Sequence, residues 1–513
     1  EGGDYKGMPA SAQQAFIIIF GGPAAHGSRF GALQSGFRDV NTAIISFIRA
    51  THRDFHGHRH VNRDRENAMT ASPYLSGNFA PVEDELTATD LKVTGEIPRE
   101  LNGRFLRIGP NPVIEPDPAT HHWFLGSGMV HGLRLENGSA RWFKSRYVRD
   151  DMVVAAKGWP PVAGPRGNLQ LGEGIANTNI LDHNGKTLAL VEGGNLPVEL
   201  DYELETIGRT DFSGTLPGGL SAHPHLDPDS GEMHAAVYSP MWNFIQYVVL
   251  GTDNKVRKTV DIPVPGHPMV HDCMITRNYF IVLDLPVVLD LELAEQGYQL
   301  PYKWHPEYGA RVGLLPREGG ADDISWHEVD PCFVFHPMNA YEDSEGRVVM
   351  DVIRYDSLFA TDLNGPSGGI STLDRWTITP GVTRVAEQRL DDEMQEFPRM
   401  DERLTGKSYR FGYTTGLGED LALAGIKKHD LLKGTSQLHG EGDSRVFMEP
   451  VFVPRSSDAA EDDGWVLAYV YDKETDKSDV VIIAAQDFES GPIATVHLPR
   501  RVPYGFHGNW AAD

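Results

Sequence analysis

The chain has 513 residues, with 46 Lys or Arg against 72 Asp or Glu, a formal net charge of −26 at pH 7. That balance argues against a nucleic-acid binder, because a phosphate backbone needs clustered cations. Only two cysteines, Cys273 and Cys332, are present, which excludes both a disulfide-dense scaffold and a thiolate metal cage and points to reduced thiols in a cytoplasm.

Residues 1–68 mix Gly, Ala, His and Arg without a sustained period, and read as a disordered leader or extension. The apolar run "AFIIIFGG" at 15–22 is too short to span a bilayer and lacks the basic flank of a secretory signal. The cluster His52, His56, His58 and His60 reads as a solvated tail rather than a metal site. A single globular body is expected over 69–513.

From about residue 100 the chain is a series of strand-like pairs around turn residues. In order they are "GLRLENGSARWFKSRYV", "NTNILDHNGKTLALVEGG", "HPHLDPDSGEMHAAVYS", "AYEDSEGRVVMDVIRYD", "STLDRWTITPGVTRVAEQRL" and "GWVLAYVYDKETDKSDVVIIAAQDF". The first four each place an Asn-Gly, Ser-Gly or Glu-Gly turn between two β-type runs, the signature of a hairpin. Helical periodicity is confined to "VLDLELAEQG" at 288–297 and short pieces between blades. Many hairpins, one continuous body and no βαβ alternation favour an all-β propeller, although no WD or kelch repeat is visible.

Four histidines stand out: His223, His271, His336 and His507, each beside a strand-like run with small or apolar neighbours. A radial fold would send such side chains from several blades to one point. Neutral imidazoles suit Zn, Cu, Fe and Ni. No HExxH pair and no compact Cys/His spacing supports a local zinc motif. With 21 histidines in the chain, spacing alone leaves a hydrogen-bonded core or surface role open for each of them.

The stretches "LNGRFLRIGPNP" (101–112), "HHWFLGSGMVHGLRL" (121–135), "LSAHPHLDPDSGEMH" (220–234), "MVHDCMITRNYFIVLDLP" (269–286), "FHPMNAYEDSEG" (335–346), "EFPRMDERLTGKSYRFGY" (396–413), "EPVFVPR" (449–455) and "VPYGFHGNW" (502–510) occur in the order found in the carotenoid cleavage oxygenase family, which the chain resembles from residue 85 to its end. The resemblance implies a seven-bladed β-propeller with a helical and loop-built dome over one face, and a mononuclear Fe(II) on its axis. It places the iron ligands on His223, His271, His336 and His507, with His225 the rival for the first position. It places three supporting glutamates on Glu192, Glu396 and Glu449, each accepting the second ring N–H of a ligating imidazole.

The implied activity is a non-haem Fe(II) dioxygenase with O2 as co-substrate, cleaving a carbon–carbon double bond of a carotenoid or apocarotenoid into two carbonyl products. A dry tunnel for an apolar polyene and a peripheral membrane contact at its mouth are expected with it. Two departures bear on subgroup. The family commonly reads "FDGDGMVH" where this chain has Leu125 and Ser127, and "LGEGIANTN" (171–179) lacks the lysine that lignostilbene-cleaving members use on a phenol. A stilbenoid dioxygenase of the same family is the first alternative, and a non-catalytic propeller binding an apolar ligand is an alternative of another class.

Overall fold

The computed structural model describes residues 72–513 apart from 119–120, 167–174, 297, 362, 366–368, 419–422 and 441–443. The leader expected at 1–68, with its four histidines, lies outside the described residues. Apolar β-type runs broken by turn residues make nearly every element a strand; those such as Gly103–Pro110 and Met233–Val237 are buried along their whole length, while the outer Val256–Pro263 alternates. These strands assemble into seven sheets of at least four strands each, plus one two-stranded hairpin, Val287–Leu289 with Tyr302–Trp304. All six hairpins read from the sequence form antiparallel pairs, for example Asn179–His183 with Lys186–Leu190 and Gly464–Asp472 with Lys477–Ala484.

Counting the sheets by their innermost strands, blades one to five begin at Asn179–His183, His225–Leu226, Cys273–Ile275, Phe333–Glu342 and Gln395–Met400. Blade six begins at Val451–Pro454 and blade seven is entered last, at Gly508–Ala512. Successive innermost strands from the second to the seventh touch one another, and the seventh touches the first. The side chain of Asn179 donates to the carbonyl of Ala222 (2.8 Å), joining blades one and two. The ring is closed twice by segments distant in sequence. Lys92–Gly95 forms the outer edge of blade six against Pro492–His497. Gly508–Ala512 forms the inner strand of blade seven against Gly103–Pro110.

The core lies between blades, where apolar faces meet. Tyr247 of blade two stacks on Phe280 of blade three with centroids 3.9 Å apart, Tyr413 of blade five on Phe452 of blade six at 5.8 Å, and Phe105 of blade seven on Tyr469 of blade six at 5.0 Å. Such pairs add about 0.5–1.5 kcal/mol each to the area they bury. Helix is scarce. The helix Asp151–Lys157 starts with Asp150 accepting from the Val153 amide, and Leu291–Glu295 with Asp290 accepting from Leu293, inside the stretch where helical period was read. No helix among the described residues is long and apolar enough to cross a membrane.

Candidate metal centre

The four histidines enter at corresponding places. His223 and His271 immediately precede the innermost strands of blades two and three, and His507 immediately precedes that of blade seven. His336 lies within the inner strand of blade four, inside the register shift between Val334 and Pro337, so a bulge re-aims its side chain. Position on the innermost strands or at their entries, rather than any local motif, brings them together.

His507 also explains why the end of the chain is apolar and glycine-rich. The Phe506 amide donates to the Ile108 carbonyl, the Ile108 amide to the His507 carbonyl (both 3.0 Å), and the His507 amide to the Thr178 carbonyl (3.1 Å). Arg107, almost wholly buried, donates to the Gly505 carbonyl at 2.9 Å. The two backbones run so close that a Cβ on Gly505 would lie 2.7 Å from the Ile108 oxygen, and one on Gly109 2.5 Å from the Gly505 Cα. Glycine is required at both.

Potential ligand atoms of the four rings lie within 4.8 Å of one another, and each residue is at least nine-tenths buried. His271 Nδ1 lies 2.6 Å from Glu192 Oε1, His336 Nδ1 2.6 Å from Glu396 Oε2, and His507 Nδ1 2.9 Å from Glu449 Oε1. A carboxylate on Nδ1 fixes the proton there and leaves Nε2 as an acceptor. Nε2 of His271 and Nε2 of His336 are 3.0 Å apart, and Nε2 of His223 is buried without a hydrogen-bond partner. Acceptor lone pairs converging in a buried space repel each other unless a cation lies among them. The donor set therefore fits a first-row divalent ion.

The carboxylates are themselves held. Tyr238 donates to Glu192 Oε2 at 3.0 Å, and Tyr355 to Glu396 Oε1 at 3.1 Å. Glu449 accepts from the Gly508 amide at 2.7 Å and from Arg399 Nη1 at 3.1 Å. Burial alone would raise the Glu449 carboxyl, but Arg399, His507 and Arg107 outweigh it and hold it down at about 2. Burial lowers His507 to about 4 against the pull of Glu449, and drives His223 well below its ordinary value, with the other three rings adding to the effect. At His336 burial is outweighed by the charge and hydrogen bond of Glu396, so its value rises. Neutral rings at 223 and 507 are what ligation needs.

His225, the rival for the first position, is not among the four converging rings and puts Nε2 2.7 Å from Asp272 Oδ1. Sequence reading missed Tyr238, Tyr355 and Arg399 as supports, and could not say which aromatics face the centre. Phe335 packs edge-on against His271 (4.8 Å), and Phe397 lies against His336 and His507 (5.6 Å each). Beyond them Phe124 touches Phe335, Phe359 and Phe506, and Trp123 links Phe506 to Phe79 and Tyr74. Phe397 adopts φ +52°, unusual for a bulky residue, as its own amide bonds back to the Glu396 carboxylate. At the two departures from the family pattern, Ser127 is fully buried and Leu125 partly buried. Of the segment at 171–179, positions 171–174 lie outside the described residues.

A family profile described as "Retinal pigment epithelial membrane protein" matches residues 79–512. Among curated proteins, the carotenoid cleavage oxygenase of Mycobacterium tuberculosis is 45% identical, the match covering 86% of this chain and 98% of that protein. Among solved structures, the lignostilbene dioxygenase of Pseudomonas brassicacearum aligns with TM-score 0.77 at 29% identity, over 86% of this chain and 99% of that one. The apocarotenoid oxygenase of Synechocystis aligns with TM-score 0.75 at 31% identity, over 84% and 97%.

Proposed function

The chain belongs to the carotenoid cleavage oxygenase family and is an oxygenase, and on that premise we propose that it is a non-haem Fe(II)-dependent dioxygenase that splits a carbon–carbon double bond of a carotenoid or apocarotenoid into two carbonyl products. The observation that carries this reading is the convergence of four buried imidazoles, three of them tied through Nδ1 to buried or half-buried carboxylates. His223, His271, His336 and His507 would hold the metal, with Glu192, Glu396 and Glu449 supporting three of them. Iron bound there would supply the redox chemistry with O2 that zinc lacks.

The protein's own part is placement and exclusion of water. No side chain is asked to act as nucleophile or strong base. Glu192, Glu396 and Glu449 fix ring direction and tautomer, and the tyrosines and Arg399 fix the carboxylates. Phe335 and Phe397 press on the rings, and the aromatic run through Phe124 and Phe506 gives this side of the centre an apolar character suited to a polyene. In the overall reaction the C=C and O–O bonds break and two C=O bonds form, one oxygen atom entering each product, so no external reductant is needed.

A stilbenoid is the second reading, supported by the likeness to the lignostilbene dioxygenase. Anaerobically purified, iron-loaded protein given β-carotene, an apocarotenal and a hydroxystilbene under labelled O2 separates the readings by mass spectrometry of the products. Labelled carbonyls from a carotenoid or apocarotenoid are expected. Turnover of the stilbene alone overturns the substrate assignment, and product without label overturns dioxygenase action. We place the enzyme in the cytoplasm, meeting its apolar substrate at a membrane surface.

A further inference from the structure

Three of the four converging histidines have a carboxylate on Nδ1. His223 does not, yet its Nδ1 is 3.6 Å from Oδ2 of Asp272, a residue 5% exposed. The other oxygen of Asp272, Oδ1, accepts from His225 Nε2 at 2.7 Å and from the Cys273 amide at 2.6 Å. Two donors on one oxygen fix the plane of the carboxylate and leave the second oxygen turned toward His223. His223 and His225 flank Pro224, and each reaches a different oxygen of the Asp272 carboxylate.

Resting on the four-histidine reading above, we infer that Asp272 is the fourth positioning carboxylate of the centre and that His225 is its clamp. A shortening of roughly 0.7 Å turns the contact into an ordinary N–H···O bond of about 2.9 Å. The arrangement then matches the other three arms in one further respect: each carboxylate comes from a different blade than the ring it supports. Glu192 follows a strand of blade one and supports His271 of blade three. Glu396 of blade five supports His336 of blade four, and Glu449 at the entry to blade six supports His507 of blade seven. Asp272, at the entry to blade three, would support His223 of blade two. One short segment, "HDC" at 271–273, thereby supplies a donor ring and the carboxylate for its neighbour. The role also accounts for His225, a buried-side polar ring that the first-position assignment leaves over.

The test is an anaerobic Co(II) titration of metal-free protein, followed by ligand-field absorption, with the melting temperature of each metal-free variant recorded. Asp272→Asn keeps the shape but not the charge, and is expected to raise the Co(II) Kd by about ten- to hundredfold and to shift the ligand-field bands. His225→Leu is expected to raise it in the same direction by several-fold, while His225→Gln, whose amide can still donate to Asp272, stays within about twofold of the parent. If the parent binds Co(II) with stoichiometric ligand-field bands but Asp272→Asn and His225→Leu share its Kd and spectrum, the inference fails and the four-histidine reading stands. If the parent gives no such bands, that reading fails first. Should Asp272→Asn not fold, the His225→Leu and His225→Gln pair decides alone.

Discussion

Replacing Glu449 by Gln removes one charge from a carboxylate that is 2% exposed and leaves its shape unchanged. Oε1 serves His507 Nδ1 and Arg399 Nη1, while Oε2 serves the Gly508 amide. A glutamine has one acceptor oxygen. If that oxygen keeps the His507 and Arg399 contacts, its NH2 points at the Gly508 N–H, donor against donor. If it flips to accept from Gly508, its NH2 faces His507 Nδ1 and Arg399, and His507 must then carry its proton on Nε2, where it no longer donates a lone pair. Hydrogen bonds to a charged group contribute about 1.5–3 kcal/mol each, so the loss of one or two gives a destabilisation of roughly 2–5 kcal/mol. Metal affinity is expected to fall by about ten- to hundredfold, the scale for a partner that orients a ligand. Thermal melting of the metal-free protein reads the first quantity and anaerobic Fe(II) titration the second. A variant that melts and binds iron like the parent would refute the reasoning.

Gly505→Ala forces a Cβ to within 2.7 Å of the Ile108 oxygen and should displace the segment carrying His507, lowering iron content and melting temperature together. Elemental analysis beside calorimetry checks it, and full iron occupancy would count against the close-approach account. At Phe397, φ +52° penalises any residue with a Cβ by about 1–2 kcal/mol. Phe397→Gly should therefore be more stable than Phe397→Ala by about 1 kcal/mol, although both lose the ring against His336; equal denaturation midpoints would contradict this. Away from the centre, burial would raise Asp227, but Arg317, the Asp229 amide and Ser230 hold it down from 3.8 to about 2. A depressed carboxyl stabilises above its unfolded value and ceases to as pH falls through its folded one. The stability gap between the parent and Asp227→Asn should be constant near neutral pH and shrink as pH drops from 3.8 toward 2, read by urea denaturation across that range.

Much of the architecture was legible because turn chemistry is local. Asn137-Gly138 and Asn184-Gly185 sit at positive φ between paired strands, as their side chains and lack of side chain allow. The four rings were legible through motif order, not through periodicity, since their meeting depends on ring closure that no window of sequence contains. Between His223 and His225, two residues apart around a proline, residue spacing cannot choose; the three-dimensional convergence of His223 with His271, His336 and His507 separates them. Tyr238 and Tyr355 were invisible because their partners, Glu192 and Glu396, lie 46 and 41 positions away in other blades. The bulges at Val334/Pro337 and Glu396/Arg399, which aim His336 and Glu396, are register defects that strand patterning averages out.

The strand Gly508–Ala512 both shuts the ring and follows directly on His507. Until this strand pairs, the folding chain holds three donor rings and an open sheet. The pairing that seals the ring of blades thus also brings in the fourth imidazole, so a chain cut ahead of residue 507 lacks both the last donor and the enclosure around the other three.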